Sequence, residues 1–378
     1  MRNGWTLGSL FDGIGGFPLA AVREGIMPVW ASEIEAVPVS ITKRHFPDMR
    51  HLGDITKING ADIEPVDIIS FGSPCQDLSI SGKRAGLDGE RSGLFIEALR
   101  VIKEMRSATN GSYPKRIVWE NVLGAFSSNK GRDFQTVIQE IARVAVSGIS
   151  IPRPSRKIKW LAAGAVVGDC FSLAWRCLDA QYWGLPQRRR RIFLVADFGT
   201  QCAGEILFKQ ESEKWNIEKG KNERSRIAEN AGSGVKQYVV DIGYSTDRIQ
   251  INPQLSVTLK ANGGGNGANT GLYYLPVNSN DTVGCLCSRD SKGVSNQYVN
   301  DKKCICNDKY EIRRLTPLEC ERLQGFPDGW TEYGYDGKKI SDNQRYKAIG
   351  NSVAIPCVQF VLLRMKKITP AHGGGGFL

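Results

Sequence analysis

Only three histidines occur in 378 residues: His45, His51 and His372. Acid–base or metal chemistry built on a histidine pair has little material here, so catalysis is expected to rest on cysteine and carboxylates. Long apolar runs are missing as well. The longest, Trp160 to Gly168, has nine residues. A bilayer span needs about 18, so no membrane partner is expected. The first apolar stretch is broken by Asp12 and runs into glycines, unlike the apolar core of a signal peptide. The ten cysteines lack framework spacing. In a chain this long that pattern points to a reducing, cytoplasmic compartment.

What is present is ordinary globular material, 41% hydrophobic and 24% charged, enough for two domains or one domain with a large insertion. Fifty Lys and Arg against 39 Asp and Glu leave a net charge of +11. That excess favours a polyanionic partner, either nucleic acid or an anionic surface.

Up to residue 198, short apolar runs alternate with helical patterns. Strands are expected at Thr6–Phe11, Val29–Ser32, Val66–Phe71, Ile117–Trp119 and Arg191–Ala196. Helices are expected at Phe17–Glu24, Ala36–His45, Gly93–Ser107 and Phe134–Val146. This rhythm predicts an α/β fold with a doubly wound, mainly parallel sheet. The texture then changes. Residues 209–230 carry six basic and five acidic side chains, a balanced and solvated stretch. From Val235 to Ile305 short β-type runs are separated by Gly/Asn clusters. Helical periodicity returns at Pro317–Gln324 and Val353–Lys367.

Four constellations carry chemistry. The first is the loop Phe11-Asp12-Gly13-Ile14-Gly15-Gly16, between a strand and a helix, where glycines let backbone approach a ligand. A dinucleotide fingerprint would need a third glycine where Pro18 stands. Glu33 ends the second strand, where a nucleoside's ribose hydroxyls would sit, and Asp54 could receive an adenine amino group. A tight structural turn is the alternative reading. The second is Ser73-Pro74-Cys75-Gln76, after the apolar run IISF and before a long polar loop. Cys75 is either buried packing or a nucleophile at the edge where such sheets keep their sites. The third is Glu120, directly after the strand IVW: a solvated cap, or a carboxyl kept protonated by dry surroundings. The fourth is Gln187 followed by Arg188 to Arg191. Alternation puts Arg189 and Arg191 on one side, where guanidinium forks could grip a base carbonyl or a phosphate.

In this order the four constellations resemble the cytosine-specific C5 DNA methyltransferase family of bacterial and phage type, whose members use S-adenosylmethionine. Later blocks agree: Arg314-Leu315-Thr316-Pro317 with Glu319, then Arg322 to Pro327, and Gly350-Asn351-Ser352-Val353. The likeness runs from residue 9 to about 361, interrupted mainly at 199–312.

The resemblance implies a catalytic domain of residues 1–198 completed by 340–378, with 199–339 as a smaller, β-rich target-recognition domain. It implies that Phe11, Asp12, Gly13, Gly15, Gly16, Glu33, Ile34, Asp54, Ile55, Pro74, Asn351 and Ser352 bind S-adenosylmethionine. Cys75 would attack cytosine C6, Glu120 would protonate N3, and Arg191, with Arg189, would complete the catalytic set. Gln76, Ser79, Asn121, Val122 and Gln187 would lie near the flipped nucleotide. The implied partner is double-stranded DNA acted on by a monomer. A restriction endonuclease sharing the target sequence, or a solitary phage-borne methylase, both stay open.

No metal is expected, although Cys285, Cys287, Cys304 and Cys306 offer four thiolates; i, i+2 spacing equally suits two strand residues on one face. Three other functions stay open at this stage: methylation of tRNA, a catalytically silent DNA-binding relative, and a nicotinamide oxidoreductase.

Overall fold

The computed structural model describes residues 4–73, 93–154, 159–208, 283–288 and 315–368, with the backbone of short strands at 239–242, 249–251, 273–274, 304–306 and 312–314. Expectations that fall on Pro74, Cys75, Gln76 and Ser79, and on the side chains of Cys304 and Cys306, lie outside the described residues.

Eight strands form the main sheet: β1 (Thr6–Leu10), β2 (Met27–Ser32), β3 (Arg50–His51), β4 (Ile68–Phe71), β5 (Arg116–Val122), β6 (Ala163–Val167), β7 (Phe171–Asp179) and β8 (Arg190–Phe198). Their spatial order is 3-2-1-4-5-8-7-6. The first five pair in parallel, whereas β8, β7 and β6 are joined antiparallel to β5 and to one another. All five expected strands are present. The three that periodicity did not reveal are β3, only two residues long, and the β6–β7 pair, which hairpin connections join without an intervening helix.

Alternate strand residues feed two cores. Leu7, Ile68, Val118 and Val195 enter one layer with helices α1 (Gly16–Arg23) and the C-terminal Ile355–Lys367. Their neighbours Ile69, Ile117, Trp119 and Leu194 enter the other, with α3 (Gly93–Ala108) and α4 (Arg132–Ala145). Helix α2 (Ala36–His45) follows β2. A sheet buried on both faces in this way needs apolar residues at consecutive positions, which is what the runs IISF and RIVW supply.

The first core extends beyond its expected boundary. Short helix α5 (Ala203–Leu207) contributes Ala203, Ile206 and Leu207, and Leu315, Leu323, Phe326, Trp330 and Ile340 pack there too. All but Ile340 fall inside the 199–339 segment. Helix α6 (Pro317–Gln324) starts with a capping box: Thr316 Oγ1 accepts from the Glu319 N–H at 3.2 Å, and Glu319 accepts from the Thr316 N–H at 2.6 Å. Glu319 is therefore a cap. Helices α7 (Asp342–Asn351) and α8 (Ile355–Lys367) make up the one stretch among the described residues apolar enough in composition to cross a membrane, and 78% of its apolar window is buried inside the protein.

Candidate active site at the carboxyl edge of the sheet

β1, β2, β4 and β5 all end at one edge, and an open cleft of about 860 Å³ lies there. Phe11, Gly13, Glu33 and Asn351 line it, as do Gly72, Ser73, Glu120, Asn121, Val122, Arg189 and Arg191. The topology thus joins residues far apart in the chain.

At the cofactor end, Phe11 (φ 55°), Gly13 (φ 59°) and Gly15 (φ 78°) are left-handed, which turns the chain sharply out of β1 and into α1. A β-carbon on Gly13 would meet nothing within 4 Å, so open space faces that backbone. Glu33 braces the turn: it accepts from the N–H groups of Gly13 (2.9 Å), Ile34 (2.8 Å) and Glu35 (2.9 Å). Its carboxylate is thus held at the cleft with about one lone pair left for a hydroxyl donor. Across the opening, Lys347 of α7 donates to both oxygens of Glu35, at 3.0 and 2.8 Å.

Other cofactor candidates lie outside the lining. Asp12 points inward, accepting from Ser9 Oγ at 2.6 Å, and its second oxygen has no hydrogen-bond partner. Burial, with neighbouring Glu33 adding to it, lifts its pKa to about 7. Stability from neutral Asp12 is fully present below the ordinary carboxylate range and is lost as pH rises to about 7. Between about pH 4 and 7 the Tm of the native protein should fall relative to that of Asp12→Asn, which has no proton to lose. Parallel thermal melts at several pH values check this; coincident curves would remove Asp12 as the cause.

Asp54 caps a short turn over Ile55–Lys57, accepting from the Thr56 N–H at 3.0 Å, and Ile55 is buried. Ile34 is 74% exposed and outside the lining. Gly16 packs on Ser352 and Val353, while Gly15 packs on Phe46.

The reactive end is built by β5 and β8. Glu120 Oε1 stands 3.3 Å from Arg191 Nε. Burial raises the Glu120 pKa, and the charges of Arg191 and Arg189 oppose that rise. Glu120 also lies against Gly72, since its Oε2 would be 3.5 Å from a β-carbon there. Asn121, expected near the nucleotide, is buried and donates from Nδ2 to the Ser73 carbonyl at 3.0 Å. It anchors the chain two residues before Cys75.

Two residues of the arginine segment turn inward, in keeping with the expectation that Arg189 and Gln187 support the loops around Arg191. Arg189, expected with the catalytic residues, donates from its guanidinium to the carbonyls of Leu286 (2.9 Å), Gly350 (3.3 Å) and Ser352. It also donates to Cys285 Sγ at 3.3 Å. Its guanidinium ties the segment 283–288 and the C-terminal end of α7 to the start of β8. Gln187, expected near the nucleotide, is wholly buried and donates to the Leu323 carbonyl at 3.0 Å. Buried polar side chains are retained where they satisfy backbone groups that the packing leaves unpaired.

Sequence reasoning missed Leu286, Cys287 and Ser288, which line the cleft from within a segment assigned to another domain. One signal was available in Gly350. A β-carbon there would come within 2.4 Å of the Cys287 carbonyl carbon, so only glycine permits that approach. Cys285 sits against guanidinium groups, its sulfur 3.3 Å from Arg189 and 3.6 Å from Arg191.

An open cleft at the carboxyl edge of this sheet, with a carboxyl–guanidinium pair at one end, fits an α/β methyltransferase domain. Sequence comparison then names the family. The C-5 cytosine-specific DNA methylase signature matches residues 5–146 and 159–367, and the chain belongs to that family. Such enzymes use S-adenosylmethionine to methylate cytosine at carbon 5.

A Lactococcus lactis subsp. cremoris protein, Type II methyltransferase M1.ScrFI, is 30% identical over 95% of this chain and 77% of its own length. A phage P1 protein named DNA N-6-adenine-methyltransferase is 27% identical over 95% of this chain, which spans only 61% of that protein. The crystal structure of S. pombe Dnmt2 methyltransferase covers 95% of this chain and 97% of its own with a TM-score of 0.57. At 17% identity it bears on the fold alone.

Proposed function

We propose that this chain methylates carbon 5 of a flipped-out cytosine in a particular duplex DNA sequence, as a modification methylase in the cytoplasm of a bacterial or phage-infected cell. The carrying observation is the part-buried Glu120–Arg191 pair at the cleft, beside Gly72 and Ser73, which precede Pro74 and Cys75 in the sequence.

S-Adenosylmethionine, when bound, supplies a methyl group on a positively charged sulfur. Glu33 would hold a hydroxyl of its ribose, with Phe11, Gly13 and Asn351 forming the surrounding wall. The chain's own residues prepare the base. Cytosine C5 is too electron-poor to be alkylated directly. The Cys75 thiolate adds to C6, electrons shift through the ring, and N3 takes the proton held by Glu120, which leaves C5 nucleophilic. Arg191 would hold the base carbonyl. Once C5 carries the methyl group its proton passes to solvent, the C5–C6 double bond re-forms as Cys75 leaves as thiolate, and N3 returns its proton to Glu120.

Carbon 6 is out of reach inside a duplex, so the base must be extruded, at a cost of about a few kcal/mol. The DNA-reading part is assigned within residues 199–339, and the acting species is a monomer. A restriction endonuclease sharing the target is the functional partner under the type II reading.

Incubation with methyl-labelled S-adenosylmethionine, unmethylated bacterial DNA and, in parallel, tRNA tests this. Labelled 5-methylcytosine in DNA, abolished in Cys75→Ala, is the expected result of nucleoside mass analysis. Label in N6-methyladenine, the product that the phage P1 relative's name would suggest, or in tRNA alone, would overturn the substrate assignment. DNA of high sequence variety ensures that a target is present.

A further inference from the structure

Two of the four consecutive arginines take no part in the cleft. Arg189 and Arg191 line it, whereas Arg188 and Arg190 line a second hollow of about 750 Å³ with Gln181, Tyr182, Cys177 and Asp179. Consecutive residues of an extended segment face opposite sides, so one stretch of chain serves both concavities. Both open at the same edge of the sheet. Arg191 pairs with Val122 at the end of β5, and Arg190 with Asp179 at the end of β7.

We infer that this second hollow seats the phosphodiester backbone of the DNA whose base enters the cleft, an inference that rests on the function proposed above. Arg188 and Arg190 are exposed, and among the described residues neither forms an ion pair with a carboxylate. The acid that lines the hollow, Asp179, is already engaged. It accepts from Gln181 Nε2 at 2.7 Å and from the backbone N–H groups of Gln181 at 3.4 Å and Arg189 at 3.1 Å. That leaves the Arg188 guanidinium, and that of Arg190 beside Cys177, at the surface near the 69%-exposed Tyr182. Guanidinium and tyrosine hydroxyl are donors that fix a duplex by its phosphate oxygens without reading sequence. An anchor one residue away from Arg191 would hold the duplex in register while the extruded base occupies the cleft.

The test uses the full chain and a labelled 30-bp duplex of mixed sequence, with binding followed by anisotropy across a series of KCl concentrations. Every phosphate that a variant no longer neutralises should reduce the slope of log K against log salt by about 0.9. Arg188→Gln/Arg190→Gln should therefore lower the slope by about 1–2. Affinity for S-adenosylmethionine and the far-ultraviolet circular dichroism should stay unchanged. A double variant that keeps the native slope overturns the seat while leaving the methylase reading intact. A native protein that binds no duplex at any salt overturns both.

Discussion

Replacing Glu120 with glutamine should lower kcat by about 10²–10³-fold, because a positioned general acid contributes about 10²–10⁴ and the amide cannot surrender a proton. Glutamine keeps the size and a hydrogen-bond donor, so the loss is specific to the proton. The pH profile separates this from a structural effect. Burial raises the Glu120 pKa, and a general acid must be protonated, so kcat/KM of the native enzyme should fall as pH rises through that value. Glu120→Gln should lack this limb. Arg191→Ala should move it to higher pH, because Arg191 opposes the rise. Initial rates of methyl transfer across pH check all three enzymes. A Glu120→Gln variant within threefold of native activity would end the proton-donor assignment.

The second large effect is on stability. Arg116 is buried, with Nε 2.6 Å from Asp197 Oδ2, and it donates to the carbonyls of Met365 and, at 2.6 Å, Ile368. It thereby fastens the end of the C-terminal helix to the middle of the sheet. Arg116→Ala would leave the buried Asp197 carboxylate without its counter-charge, with the Thr200 N–H still donating to it, and two orphaned carbonyls; breaking such a pair costs about 3–5 kcal/mol. With an unfolding entropy of about 2.1 cal/mol/K per residue, that is about 4–6 °C in Tm for 378 residues. Arg116→Ala/Asp197→Ala should lose less than the sum of the single variants, since the two side chains act on one another. Calorimetry on the four proteins measures this. Additive losses, or a shift under 1 °C, would mean that the ion pair contributes little to holding the helix.

Much of the fold was legible because buried strands write themselves as apolar runs. IISF and IFLVADF need no partner to be recognised, and helix Ala36–His45 falls where periodicity places it. Antiparallel β6 and β7 were not legible, since the pattern that marks βαβ units is absent where strands connect by hairpins. Glycine placement exposed the loop at Phe11–Gly16 for a similar local reason: left-handed backbone, as at Gly13 and Gly15, favours glycine.

By itself the sequence determined which chemical groups are available: a cysteine after one strand, a carboxylate after another, and a run of arginines, with few histidines anywhere. It also determined their order, from which the family resemblance follows. Tertiary structure alone decided which groups meet. Arg189 and Arg191 look equivalent along the chain, yet Arg189 is buried against backbone carbonyls while Arg191 faces Glu120. The difference arises because the 283–288 segment and the C-terminal end of α7 at Gly350 close over Arg189, contacts spanning 97 and 161 residues. Local pattern reports what a residue is and which way its own element turns. Whether its donors are spent on carbonyls or left for a ligand depends on what distant segments bring against it.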